Sequence, residues 1–324
     1  MRSAWLRPGI LLACLLWLSA CADRPSESWT LAQGGLYAGA ISAAGDRVAV
    51  GTIFHGGSLW QIPEYERLFD WNLDADRNLD DYSAFTAIAF AGNGSRVATV
   101  QGRQVVIWSA DQGRADMFYE APAMIRSVAL NQDGSRFVLG LEEGTAAVFS
   151  TETGDVIQRL IGHRGGIHSV ALAPDGRHVL TGGDDRRVIY WAVDEGLIRA
   201  HRRHDNQVRT VALSDSGVYA FSAAQGSDGE VWNTANGNVV RIIPAAQRVI
   251  SVARFTDNDS LLIVGDRRHG VSQWHLQTLQ RRGHWRLASP GLYARESNVI
   301  LDVRPLPQGG VLALSSSGKL ALLQ

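Results

Sequence analysis

Residues 162–197 read GHRGGIHSVALAPDGRHVLTGGDDRRVIYWAVDEGL. The segment parses as a strand (HSVALA, 168–173), a turn (PDG, 174–176), a strand (HVLTGG, 178–183), a turn (DDRR, 184–187), a strand (VIYWAV, 188–193) and a turn (DEG, 194–196). LIRAHR (197–202) supplies a fourth strand. Each strand is short and partly β-branched or aromatic, and each break carries Gly or Asp. Four such strands joined by tight turns make one antiparallel meander.

The meander recurs along the chain. Its first turn returns as SAAG (42–45), AGNG (91–94), NQDG (131–134), SDSG (214–217), TDND (256–259) and PQGG (307–310), with steps of 49, 40, 42, 41, 42 and 51 between the seven last residues. The third strand returns with an aromatic near its end, as SLWQI (58–62), VVIWS (105–109), AAVFS (146–150), GEVWN (229–233) and VSQWH (271–275), and in degenerate form as KLALLQ (319–324). The turn after it returns as SADQG (109–113), STETG (150–154) and NTANG (233–237). Four strands per unit at a period of about 41 residues predict an all-β, seven-bladed β-propeller. A single four-stranded sheet cannot bury both faces, so the blades must stack around a channel.

The repeat count puts a single propeller over 28–324, with blades at approximately 35–72, 73–119, 120–161, 162–203, 204–245, 246–283 and 284–324, the last joined by 28–34. The final copy has only three strands before the chain ends. SWTLAQ (28–33) has no blade of its own and is predicted to pair beside KLALLQ and close the ring.

The unit resembles the WD-repeat family over residues 28–324. In that family a buried hydrogen-bonded chain runs from a His after Gly, through a hydroxyl on the second strand and an Asp in the next turn, to the third-strand Trp. The resemblance implies these roles for His163, Thr181, Asp185 and Trp191, which makes Asp185 structural rather than catalytic. Asp184, Arg186 and Arg187 then read as a solvated hairpin. In the fifth blade His204, Ser222 and Trp232 match, but Asp228 comes two residues late; elsewhere Asp81, Ala121, Ala245 and Glu296 stand where the His would be. The resemblance also places the residue two before the inner-strand Val or Ile at the channel rim. Those residues are Thr86, Arg126, His168, Arg209 and Ile250. Arg126, His168 and Arg209, with Arg164 beside them, form a candidate partner-binding face at the narrow end, suited to acidic peptides or anions.

The first residues form a separate object. MRSAWLRPGILLACLLWLSAC has Arg2 and Arg7, then an apolar run from Gly9 to Leu18. Ten helical residues rise about 15 Å, too little for a bilayer core of roughly 30 Å, so 1–20 reads as a secretory signal. Leu18-Ser19-Ala20-Cys21 resembles the lipobox of bacterial lipoproteins, which implies acylation at Cys21. By the enterobacterial sorting pattern Ala22 points to the outer rather than the inner membrane. Residues 21–27 read as a polar tether. Cys14 lies inside the apolar run, so the mature chain keeps one cysteine and forms no internal disulfide.

Composition narrows the function. A net charge of −1 over 324 residues argues against general nucleic-acid binding. Asp74, Asp76, Asn78 and Asp80 alternate like the start of an EF-hand loop, but Leu79 and Phe85 stand where Gly and Glu are required. His201 and His204 have metal spacing on a predicted strand end, which does not make a zinc site. No CxxCH, GxSxG or HExxH occurs. The expectation is a monomeric, non-catalytic envelope lipoprotein without cofactor or metal, which meets the membrane only through its lipid and binds protein partners through a propeller face. Two rivals stand beside it: a periplasmic small-ligand or anion sensor or carrier, and an enzyme or redox protein with a noncovalent cofactor in the channel.

Overall fold

A computed structural model describes residues 25–33, 35–52, 56–71, 84–245, 248–256, 258–287 and 299–324. Cys21, the acidic run 74–81, Asp81 and Glu296 lie outside the described residues. The described chain is all β, in seven four-stranded antiparallel sheets. Each is a meander in which sequence neighbours pair, except the last. There the N-terminal strand Glu27–Thr30 pairs antiparallel with Lys319–Leu323, Trp29 opposite Leu320, and clasps the ring. The N–H and hydroxyl of Ser26 already bond the carbonyl of Leu322, so pairing begins inside the stretch read as tether. The outer strand of blade six is Arg281–Arg286, so position 283, where the repeat count puts a boundary, lies within a strand.

Burial follows position in the blade. The second and third strands of blade four, His178–Gly183 and Arg187–Ala192, are buried from their second residue onward. Both their faces are covered by neighbouring blades, which is why they read as continuous apolar runs. The outer strand Leu197–Arg203 is mostly exposed. Among the described residues seven apolar clusters form, one at each junction between blades. Phe137 and Phe149, stacked at 4.8 Å, belong to the cluster between blades two and three.

Two glycines of the opening stretch have separate causes. Gly176 ends the first turn at φ +70°, a left-handed conformation that costs glycine little. Blade six lacks that glycine and holds Asn258 and Asp259 at positive φ instead. Gly182 has ordinary φ, but a Cβ there would stand 2.5 Å from Val208 Cγ1. The inner strand of blade five packs on its bare backbone.

Side chains stitch blade to blade around the channel. Ser127 Oγ accepts from Val170 N at 3.1 Å, and Ser169 Oγ from Val211 N at 3.1 Å. Thr210 Oγ1 donates to Ile250 O at 2.8 Å. Asp302 occupies the corresponding register position in blade seven and accepts from Ile41 N of blade one at 2.9 Å.

Candidate functional site

The inner strands start at one face of the ring, the upper face, and six of them carry a bulge at the same place. The residue skipped by the pairing is Tyr37, Arg126, His168, Arg209, Ser251 or Leu301. A bulge frees one side chain from the alternation of the strand and re-aims it, so this ring of residues addresses the channel mouth. Ile250 does not belong to it. It pairs with Asp266, is 3% exposed and packs in the core. Ala253 stands where blades three, four, five and seven have Val, so counting back from Val252 lands one residue early, and Ser251 is the rim residue. In blade two pairing starts at Ala87, and the N–H of the preceding Thr86 donates to Val100 O.

Three adjacent bulges bring Arg126, His168 and Arg209 together. Arg126 Nη2 donates to Glu142 Oε1 at 2.6 Å and Nη1 to Asp184 Oδ2 at 3.0 Å. The Glu142 bond, with the charges of both carboxylates, holds the guanidinium firmly protonated. Asp184 is therefore not a solvated hairpin residue: it turns inward and bridges Arg126 and His168, reaching His168 Nε2 at 2.6 Å. Arg187 also turns in, giving Nη1–H to Gly162 O at 2.9 Å, while Arg186 is exposed. The exposed Arg164 enters through its backbone, whose N–H donates to Asp185 Oδ2 at 3.0 Å.

Arg209 differs from Arg126. Its guanidinium donates to Gln207 Oε1, to Gln225 Oε1 at 2.9 Å, and lies 2.7 Å from His168 Nε2. Burial, opposed by Asp184 and aided by Arg267 and Arg126, weakens its hold on its proton. Among the described residues no carboxylate pairs with it. Burial also keeps His168 neutral at pH 7. Its Nε2 then either donates to Asp184 or accepts from Arg209, and cannot do both.

The buried chain in blade four is built as follows. His163 Nδ1 is 2.9 Å from Asp185 Oδ1, and its Nε2 is 2.8 Å from Thr181 Oγ1. Trp191 Nε1 donates to Thr181 Oγ1 at 2.9 Å. Since the indole can only donate and burial favours the neutral imidazole, the proton sits on Nδ1, facing Asp185, and the Thr181 hydroxyl donates to Nε2. Asp185 also accepts from the N–H groups of Arg164 and Arg187. In blade five His204 Nε2 meets Ser222 Oγ at 2.9 Å and Trp232 Nε1 donates to the same oxygen at 3.2 Å. Asp228 serves elsewhere, accepting from Ala245 N.

Donor and acceptor change together around the ring. Blade two keeps Trp108 and Thr99 without a His in the chain of bonds. Blades one and six move the hydroxyl onto the indole's own strand, at Ser58 and Ser272. In blade three Phe149 and Leu139 replace Trp and hydroxyl at once, as do Leu323 and Ala313 in blade seven. Removing both partners leaves nothing buried and unpaired.

The family profile "WD domain, G-beta repeat" matches residues 154–192, from the outer strand of blade three through the third strand of blade four. The chain is a seven-bladed β-propeller that carries a WD repeat over those residues. It is 22% identical over 266 residues to Autophagy-related protein 16 of Arabidopsis thaliana, covering 78% of this chain and 52% of that protein. It is 28% identical over 143 residues to THO complex subunit 3 of the same plant, covering 44% and 45%. It is 27% identical over 221 residues to Guanine nucleotide-binding protein subunit beta of Oryza sativa subsp. japonica, covering 62% and 58%. The chain spans about half the length of these relatives.

The histidines of this propeller make its stability depend on pH. Burial, against the pull of Asp185, lowers the proton affinity of His163, and burial does the same at His204. Below about pH 6.5 the unfolded chain binds protons that these folded imidazoles refuse, so unfolding takes up protons and stability rises with pH. For Asp185 burial pushes the other way, but the bonds from Arg164 N–H, His163 and Arg187 N–H prevail and hold its carboxyl below the usual range. Its contribution is lost only at lower pH, as the folded carboxylate titrates. The urea midpoint is expected to fall steadily between pH 7.5 and 5.5, and His163→Gln is expected to flatten that slope while lowering the midpoint throughout. An unchanged slope in this variant would refute the assignment.

Proposed function

We propose that this WD-repeat propeller is a non-catalytic binding platform, and that its upper face docks an acidic segment of a protein partner on Arg209. The observation that carries this reading is the contrast between two neighbouring arginines. Arg126 is neutralised by Glu142 and Asp184, whereas Arg209 is held in a fixed pose by neutral acceptors. A guanidinium pre-oriented in that way meets a carboxylate with little ordering cost. An incoming carboxylate would take over the Arg209 proton now facing His168 and leave the imidazole to Asp184. Tyr37, 58% exposed, and Met124, 46% exposed, add apolar contact on the same face. The names of two relatives, a THO complex subunit and a guanine nucleotide-binding protein subunit, are those of assembly components.

The proposal extends to place. Acylation at Cys21 would hold the protein in the bacterial envelope, facing the periplasm and at the outer membrane. Cys21→Ala is the variant for that part, with loss from the membrane fraction expected.

The docking test is crosslinking in intact cells, with recovery of the tagged full chain and quantification of bound proteins for wild type and Arg209→Glu, once urea unfolding has shown equal stability. A partner recovered with wild type and reduced about tenfold or more with Arg209→Glu is the expected result. Equal recovery would remove Arg209 from the interface. The absence of any protein partner would overturn the platform.

A further inference from the structure

The lower half of the channel holds a second feature, remote from the upper face and independent of the docking reading. At one level of the inner strands five blades carry alanine: Ala40, Ala89, Ala129, Ala171 and Ala212. At the same register the two adjacent remaining blades carry Arg254 and Arg304. The small side chains leave space, and a cavity of about 470 Å³ occupies this part of the channel, with both arginines and Asp215 in its wall.

The charges there do not balance. Asp302 is 2% exposed and takes Arg254 through Nε at 3.2 Å and Nη2 at 3.1 Å. Arg304 stands 4.0 Å from the same carboxylate and uses Nε–H on Ile41 O at 3.2 Å. Neither terminal nitrogen of Arg304 has a protein hydrogen-bond partner among the described residues. Burial first, and then Arg254, push its proton affinity down to about 10, the mark of a cation short of negative charge. Asp215, also in the cavity wall, makes no ion pair or hydrogen bond with either arginine among the described residues, and burial, then Asp259, raise the proton affinity of its carboxyl. A partly buried guanidinium with an open fork suits a planar or tetrahedral oxyanion, which would satisfy donors that are otherwise costly to bury.

We propose that this cavity binds a small oxyanion, the carboxylate or phosphate of a small molecule, between Arg304 and Arg254. The experiment is calorimetric titration of the purified full chain with succinate and, separately, inorganic phosphate at ionic strength held constant with sodium chloride. Saturable binding of at least one anion is expected, weakened about tenfold or more in Arg304→Gln. Arg254→Gln leaves the Arg304–Ile41 bond in place and carries the same comparison where Arg304→Gln does not fold. Binding of succinate alone identifies a carboxylate ligand, and binding of phosphate alone a phosphate. Saturable binding of neither, or binding undiminished in the folded variants, would overturn the site.

Discussion

Asp302→Ala is expected to destabilise the propeller by about 3 kcal/mol and to lower its unfolding midpoint more than any surface change. The carboxylate is the polar joint of ring closure. One oxygen accepts from Ile41 N of blade one; the other accepts from Arg254 of blade six and from Val303 N beside it. Truncation would strand a backbone N–H and leave two arginines facing one another. Breaking a buried pair from one side typically costs about 3–5 kcal/mol. The lower figure applies because the Arg254 side chain is 39% exposed and water recovers part of the loss. Asp302→Asn keeps an acceptor for Ile41 and removes the charge, so its loss should fall between wild type and Asp302→Ala. Urea unfolding followed by tryptophan fluorescence measures both. A midpoint for Asp302→Ala equal to wild type would show that the seam is held by the apolar cluster and the N-terminal strand alone.

The second large effect is expected at Trp191. The side chain is 2% exposed and closes the cluster between blades three and four. It also covers Gly162, where a Cβ would stand 2.7 Å from the ring. Trp191→Ala leaves a cavity, and such truncations cost about 3–5 kcal/mol. Trp191→Phe retains most of the volume and removes only the indole N–H. The Thr181 hydroxyl then keeps His163 and loses one donor, a change of about 1 kcal/mol. A clear gap between the two variants in urea unfolding is the expected result. Equal losses would mean that the hydrogen bond, not the packing, dominates the site.

How far the sequence could be read depended on the range of the cause. The seven-fold repeat, the strands of each blade and the pairing of 27–30 with 319–323 follow from local pattern: β-branched runs, Gly and Asp turns, and a surplus first strand matched by a last repeat of three strands. The grouping of His163, Thr181, Asp185 and Trp191 could be read from spacing because all four belong to one repeat. Asp184 was misread because nothing near it in sequence shows that it turns inward. Its partners Arg126 and His168 lie 58 and 16 residues away. Ile250 was misplaced because the count started from Val252, whereas Ala253 holds the register position of the usual Val, which pairing geometry alone reveals.

Arg254 and Arg304 drew no attention in the sequence. Each lies in the second half of an inner strand, where a lone arginine usually means solvent. Stacking seven equivalent strands would have exposed the anomaly, five alanines against two arginines at one register.

By itself the sequence determined the architecture, because a period of about 41 residues repeats the same short-range strand and turn preferences seven times and leaves stacking around a ring as the way to cover every sheet. Only the tertiary structure decided which charges meet. Ring closure brings blade seven against blade one and carries side chains from separate repeats to a common channel, where burial and distance set whether an arginine is neutralised, as Arg126 is, or left open, as Arg209 and Arg304 are.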